Sequence, residues 1–414
     1  MLPPPGTAGG VRGAPFRLTL GATVLGFGGY ALLLPVVPLW AARGGAGALG
    51  AGVTTGALML STVLTQLAVP WLLHRIGHRW VLGVGLLLLG GPAPLFALSA
   101  AAGPVIAVSA LRGVGFGLVT VVGAALVAEL VPPHQHGRAT GWYGIAVGAP
   151  QLVLLAIGVA AVERLGFLPV FVAGGVAPVL GALLVPFIRV PARSLTPATH
   201  GQESHHQDVP RPDGGFPDVA EAAGAAGAAG EGAGGGLRAG VRPLLAMVVC
   251  SLAQGGLVTF LPLAVPGSGA PAAAALLVMA AGGLVGRVGA GLLVDRFGIG
   301  GRVLGPATLL TALGTGLAAV LLDTGSVGVL VGATLVGVGF GAVQNDSLTT
   351  LFAVYGPARY GAASAAWNIA FDGGTGVGAV GLGALADPFG FRVAFGVAAV
   401  VCLGTGLVPR PRTT

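Results

Sequence analysis

Residues 337–372 read GVGFGAVQNDSLTTLFAVYGPARYGAASAAWNIAFD. Two apolar runs flank a short turn that carries Arg359. The first run holds Gln344, Asn345 and Asp346 in its middle, and the second holds Ser364, Asn368 and Asp372 at intervals of four. In a helix that interval places all three polar groups on one face. A carboxylate at the centre of a helix surrounded by lipid costs about 2.5–3.5 kcal/mol on insertion scales. Two acids in such runs need either a compensating partner or a function that offsets the cost.

Composition identifies the surroundings as lipid. The 414 residues are 54% hydrophobic and only 8% charged, and the mean hydropathy is +0.91. A soluble domain carries roughly 25% charged residues, so this chain is predicted to be an all-α integral membrane protein. Its 77 glycines suit helices whose backbones pack closely in a bilayer. The net charge of +7 arises from arginine alone, scattered between apolar runs. No basic face for nucleic acid is formed, and a membrane topology explains the charges. Cys250 and Cys402 each lie inside an apolar run, which gives neither a disulfide framework nor a metal site. The run from Arg17 to Trp40 exceeds the apolar core of a signal peptide and is read as an uncleaved first span.

Twelve apolar stretches can each cross a bilayer. They cover roughly 17–40, 50–73, 80–101, 104–130, 139–162, 166–188, 242–265, 271–294, 302–322, 326–354, 360–386 and 390–408. With the N-terminus in the cytoplasm, fifteen of the 20 arginines fall on that side, three (Arg43, Arg164, Arg392) fall outside, and Arg112 and Arg287 fall within spans. This bias predicts a multi-pass protein of the cell membrane with both termini cytoplasmic. Residues 190–240 differ from the spans: they hold Pro, Gly, Ala and six of the thirteen acids. They are read as a flexible cytoplasmic linker between an N-terminal bundle (1–189) and a C-terminal bundle (241–414). His200, His205 and His206 fall in this solvated tract, which explains them better than a metal site does.

The two bundles repeat one another. Gly113-Val114-Gly115-Phe116-Gly117 matches Gly337-Val338-Gly339-Phe340-Gly341 at an offset of 224. The same offset aligns Gly137 with Gly361 and Ile145-Ala146 with Ile369-Ala370. At an offset of 221, His74-Arg75-Ile76-Gly77 aligns with Asp295-Arg296-Phe297-Gly298. A duplicated unit with an even number of spans keeps both copies in one orientation, as parallel repeats.

Six plus six spans, a central loop and an Asp-Arg-x-Gly turn together resemble the major facilitator superfamily along the whole chain. The resemblance implies a secondary transporter rather than an enzyme. It implies a small organic substrate and protons as partners, no cofactor, and a monomeric state. The turn Gly291-Leu-Leu-Val-Asp295-Arg296-Phe-Gly298 resembles the superfamily's motif A, which implies a gate on the cytoplasmic side. The first copy, with His74, Arg75, Gly77, His78 and Arg79, departs from that motif: His74 replaces Asp and Pro70 replaces Gly. Histidines there raise the possibility of a pH-sensitive gate, against a polar turn that merely tolerates them. Glu129 takes the place of the span-four acid that pairs with motif A, and Arg287 is expected to pair with Asp295 or Asp346. Arg112-Gly-Val-Gly-Phe-Gly117 resembles the span-four arginine motif. The counter-charge of Arg112 is left among a carboxylate of the other half, backbone carbonyls and an anionic substrate group, or else the side chain snorkels outward. Gly144 to Pro150 resembles the antiporter motif.

Asp372 lies about 18 Å into its span at 1.5 Å per residue and is the expected proton-coupling acid, with Asp346 second. The repeat aligns Gly148 with Asp372, so packing does not require an acid there. The structural alternative is a permanently hydrogen-bonded acid. Tyr30, Gln66, Trp142, Tyr143, Gln151, Gln254, Gln344, Asn345, Trp367 and Asn368 are candidates for the substrate path, which reads as wide, apolar and thinly polar. The reading is a proton-coupled exporter of a drug-like molecule or secondary metabolite. Uptake of a small organic nutrient and a non-transporting membrane scaffold or sensor are the alternatives.

Overall fold

The computed structural model describes residues 10–132, 135–188, 234–265, 269–323, 326–356 and 359–408. The linker expected over 190–240 lies outside them except for its last residues, which are already helical from Gly234. The remaining elements are helices: α1 (Ala14–Leu33), α2 (Val36–Arg43), α3 (Gly47–Ile76), α4 (His78–Gly90), α5 (Ala102–Glu129), α6 (His136–Leu165) and α7 (Phe167–Leu184) in the first half. The second half holds α8 (Gly234–Ala264), α9 (Ala270–Phe297), α10 (Leu304–Val320), α11 (Ser326–Tyr355) and α12 (Tyr360–Gly406).

These helices make twelve passes among the described residues. α1 and α2 form one pass of 30 residues, interrupted at Pro35, where the missing N–H breaks the ladder. α12 is two passes: its 47 residues turn at Gly390, which has φ 80° and ψ 164°. α10 is shorter than its neighbours at 17 residues. Pass three ends early at Gly90 and continues as a 3₁₀ turn over Ala93–Leu98.

The internal repeat is visible in the backbone. Gly77 and Gly298 close α3 and α9 with φ of 82° and 62°. Gly166 and Gly390, 224 positions apart, both have φ 80°. A side chain is strained at such angles, so only glycine fits these turns comfortably. Packing repeats too. Gly113 and Gly117 lie against the α3 backbone, and Gly115 against α4. Their repeat-mates Gly337 and Gly341 lie against α9, and Gly339 against α10. The shared GVGFG string therefore wedges pass four, and again pass ten, between two neighbours at backbone contact. Small residues permit this approach where lipid supplies no hydrophobic drive between helices.

The halves meet where α3 crosses α12 and where α6 meets α9. Along the first seam Ala48 and Leu49 face Asp387, Gly52 faces Ala379, Gly56 faces Val380, Met59 faces Gly376, and Gln66 bonds Asp372. Beyond Gln66, α3 ends in exposed Trp71 and Ile76, and α12 begins at exposed Tyr360. One end of the molecule is closed by the seam. The other end carries Arg75, Arg79, Arg296 and Arg359, all but Arg79 exposed.

Candidate functional site

The inner end of the seam holds the site. Asp372 is 2% exposed. Its Oδ2 accepts a hydrogen bond from Gln66 Nε2 at 2.8 Å, across the boundary between the halves. Gln66, 4% exposed, also donates to Thr120 Oγ1 at 3.2 Å, and its Oε1 is buried without a partner. Thr120 in turn presents its carbonyl to the Tyr143 hydroxyl at 3.4 Å. Pass two, pass four, pass five and pass eleven thus converge on one polar chain with Asp372 at its end. Beside it the Tyr30 ring stacks on Phe116, with centroids 3.9 Å apart and planes 8° apart.

Arg112 is 1% exposed. Its Nε donates to the Leu89 carbonyl at 2.9 Å, and its guanidinium lies 5.6 Å from the Phe96 ring centroid. Backbone carbonyl and aromatic face together receive the cation, and snorkelling outward is ruled out. Its Nη2 is buried without a partner.

Asp346 has the bonds of the structural alternative, a hydrogen-bonded acid. Its carboxylate accepts the Gly301 N–H at 2.7 Å and the Leu304 N–H at 2.9 Å. It caps the start of α10, where free backbone donors and the helix dipole favour a negative charge. Both printed donors are backbone groups of its own half, and Arg287 lies exposed on α9.

The other expected path residues divide by their partners. The Trp367 indole N–H donates to Ser347 Oγ at 2.9 Å, which ties α12 to α11 rather than lining a path. Gln151 and Asn368 donate to the carbonyls one turn back, Val147 and Ser364. Gln254, Gln344 and Asn345 are half-buried, with the Asn345 side chain near Gly291. Trp142 is 47% exposed.

At the arginine-bearing end, Glu129 Oε2 lies 3.3 Å from His78 Nδ1. The span-four acid therefore does meet the first-half turn, through His78. The His74 side chain lies outside the described residues. Arg75 sits over Trp71 at 4.8 Å and Arg79 over Trp80 at 5.2 Å. Asp295 and Arg296 are exposed, and Arg296 sits 5.7 Å from the Phe297 ring centroid. Thr120 was not among the expected site residues, and the pairing of His78 with Glu129 was not foreseen. The repeat-breaking acid at 372 signalled the site, but nothing in the spacing named the side chains that face it.

The pattern of the Major Facilitator Superfamily matches residues 19–379. A protein described as an uncharacterized MFS-type transporter of Mycobacterium tuberculosis is 29% identical over 148 residues, 34% of this chain. That stretch spans 25% of the relative's own length. Among solved structures, a bacterial homolog to the human lysosomal transporter Spinster, inward-facing and occupied, superimposes with a TM-score of 0.73 at 14% identity, covering 94% of both chains. The same homolog, inward-facing and unoccupied, gives 0.70 at 15% identity, covering 95% of this chain and 93% of that one. At such identity the likeness shows the fold.

Proposed function

Because the chain belongs to the major facilitator superfamily and is a multi-pass membrane transporter, we propose that it exports a drug-like molecule or secondary metabolite in exchange for protons, by alternating access. The observation that carries this reading is the Gln66–Asp372 bond between the halves. A carboxyl whose partner belongs to the opposite half changes its surroundings whenever the halves rock. Ionised, it accepts from the Gln66 amide. Protonated, it donates, and the unpartnered Gln66 Oε1 is an acceptor for that proton after an amide flip. Gln66 can thus serve both protonation states, so Asp372 can take up a proton from one side and release it to the other.

Arginine bias supports placing the end with Arg75, Arg79, Arg296 and Arg359 toward the cytoplasm, with both termini on the cytoplasmic face of the cell membrane. The Tyr30–Phe116 stack and the sparse hydrogen-bonding groups favour an amphipathic organic substrate over a sugar. Arg112 ties pass four to pass three through the Leu89 carbonyl. The chain acts as a monomer, each half supplying one wall.

Everted membrane vesicles test the reading. Export predicts that acidifying the lumen drives a labelled amphipathic compound into vesicles containing the protein, that the compound releases luminal protons, and that an uncoupler abolishes both. Substrate accumulation in right-side-out vesicles with acid outside would instead establish uptake. No flux in either orientation across a broad panel would leave a scaffold.

A further inference from the structure

The closed end is held by two carboxylates that nothing above assigns. Asp387, late in pass eleven, accepts the Ala48 N–H at 2.6 Å with Oδ1 and the Leu49 N–H at 3.0 Å with Oδ2. Both donors belong to the first turn of α3, in the opposite half. Glu163, late in pass five, accepts the Gly269 N–H at the start of α9, again in the opposite half. Glu163 and Asp387 are 224 positions apart, the offset that aligns the GVGFG strings. Each lies three residues before a repeat-matched glycine with φ 80°, Gly166 or Gly390. The helix starts they cap, Gly47 and Ala270, lie at nearly the same offset. Glycine stands at both contacts: a methyl group at Gly47 would come 3.0 Å from Asp387 Oδ1, and one at Gly269 would come 2.7 Å from Glu163 Oε1.

We infer that Glu163 and Asp387 form a reciprocal double latch, each half gripping the other's gate-helix N-terminus by a carboxylate, that sets the balance between the two open states of the transporter. Opening this end requires both grips to break together, because a rocking motion about the repeat axis treats the two equally. Carboxylates suit such a latch. The four free N–H groups of a helix start attract negative charge, and water can replace it at modest cost when the halves part. Both acids are solvent-exposed, so the latch is weak enough to release in each cycle. The inference rests on alternating access and on neither the substrate nor the coupling ion.

The test measures distances rather than transport, so it stands or falls apart from the export reading. Spin labels at Ala101→Cys and Ser326→Cys report the latched end, and labels at Arg138→Cys and Arg302→Cys report the other, in nanodiscs with Cys250 and Cys402 replaced by alanine. Glu163→Gln and Asp387→Asn should each raise the fraction with the latched end open by about three- to tenfold. The double variant should raise it further, with a matching shortening at the opposite end. The carboxylate-keeping variants Glu163→Asp and Asp387→Glu should stay near the unmodified distribution. Amide variants whose distances match the unmodified protein overturn the inference, as do carboxylate-keeping variants that open as far as the amides.

Discussion

Asp346 and Asp372 are both buried acids in neighbouring helices of the same half, at 0% and 2% exposure, yet their surroundings differ in kind. Asp346 is enclosed by its own half: both oxygens are taken up by backbone N–H groups at the start of α10. Asp372 accepts from a side-chain amide of the other half. Backbone donors can only donate, so these two bonds favour the ionised form of Asp346. A primary amide carries donor and acceptor, so the Asp372 site suits both protonation states. Burial alone does not mark a coupling group. The partner's chemistry, and whether the partner moves relative to the acid, separates a cap from a proton carrier.

Substitutions probe that contrast in decreasing order of effect. Asp372→Asn should remove gradient-driven accumulation almost completely, by about 100-fold or more on the scale of a lost proton-transfer group, while thermal unfolding in detergent stays close to that of the unmodified protein. Asp346→Ala should do the reverse. Leaving two buried N–H groups without an acceptor costs about 3–5 kcal/mol, seen as a large drop in unfolding temperature and membrane yield. If Asp346→Ala were stable but uncoupled, the division of roles between the acids would be wrong. Gln66→Ala should cost about 1–3 kcal/mol of the inter-half contact, a loss of roughly tenfold in coupled transport. Gln66→Asn keeps both amide functions on a shorter arm and should recover part of it. His78→Ala removes a part-exposed pair with Glu129 and should change stability by about 0.2–1 kcal/mol. A transport pH profile left unshifted by that change would remove His78 from any gating role.

Much of the fold is legible in the sequence because the chain states it twice. The GVGFG strings and the two turns at Gly77 and Gly298 mark which passes repeat which, and the backbone repeats at Gly166 and Gly390 follow the same offset. The site is less legible. Asp372 stands out because its repeat-mate is Gly148. The acceptor of Arg112 is the Leu89 carbonyl, 23 positions away on another helix, and every residue offers such a carbonyl. The cap formed by Asp346 joins positions about 45 apart through a turn. Spacing along one helix shows which groups share a face, but not which helix that face meets. Glu163 and Asp387 are the instructive intermediate case. Their offset of 224 is readable from the chain, but only the crossing of α3 with α12 and of α6 with α9 shows what they hold.

The most direct test of Asp372 as the coupling group uses purified protein in liposomes and an internal pH dye. Unmodified protein should move protons against substrate. Asp372→Asn should still exchange labelled for unlabelled substrate across the bilayer while moving no protons with it. Substrate-linked proton movement by Asp372→Asn at the unmodified ratio would contradict the account.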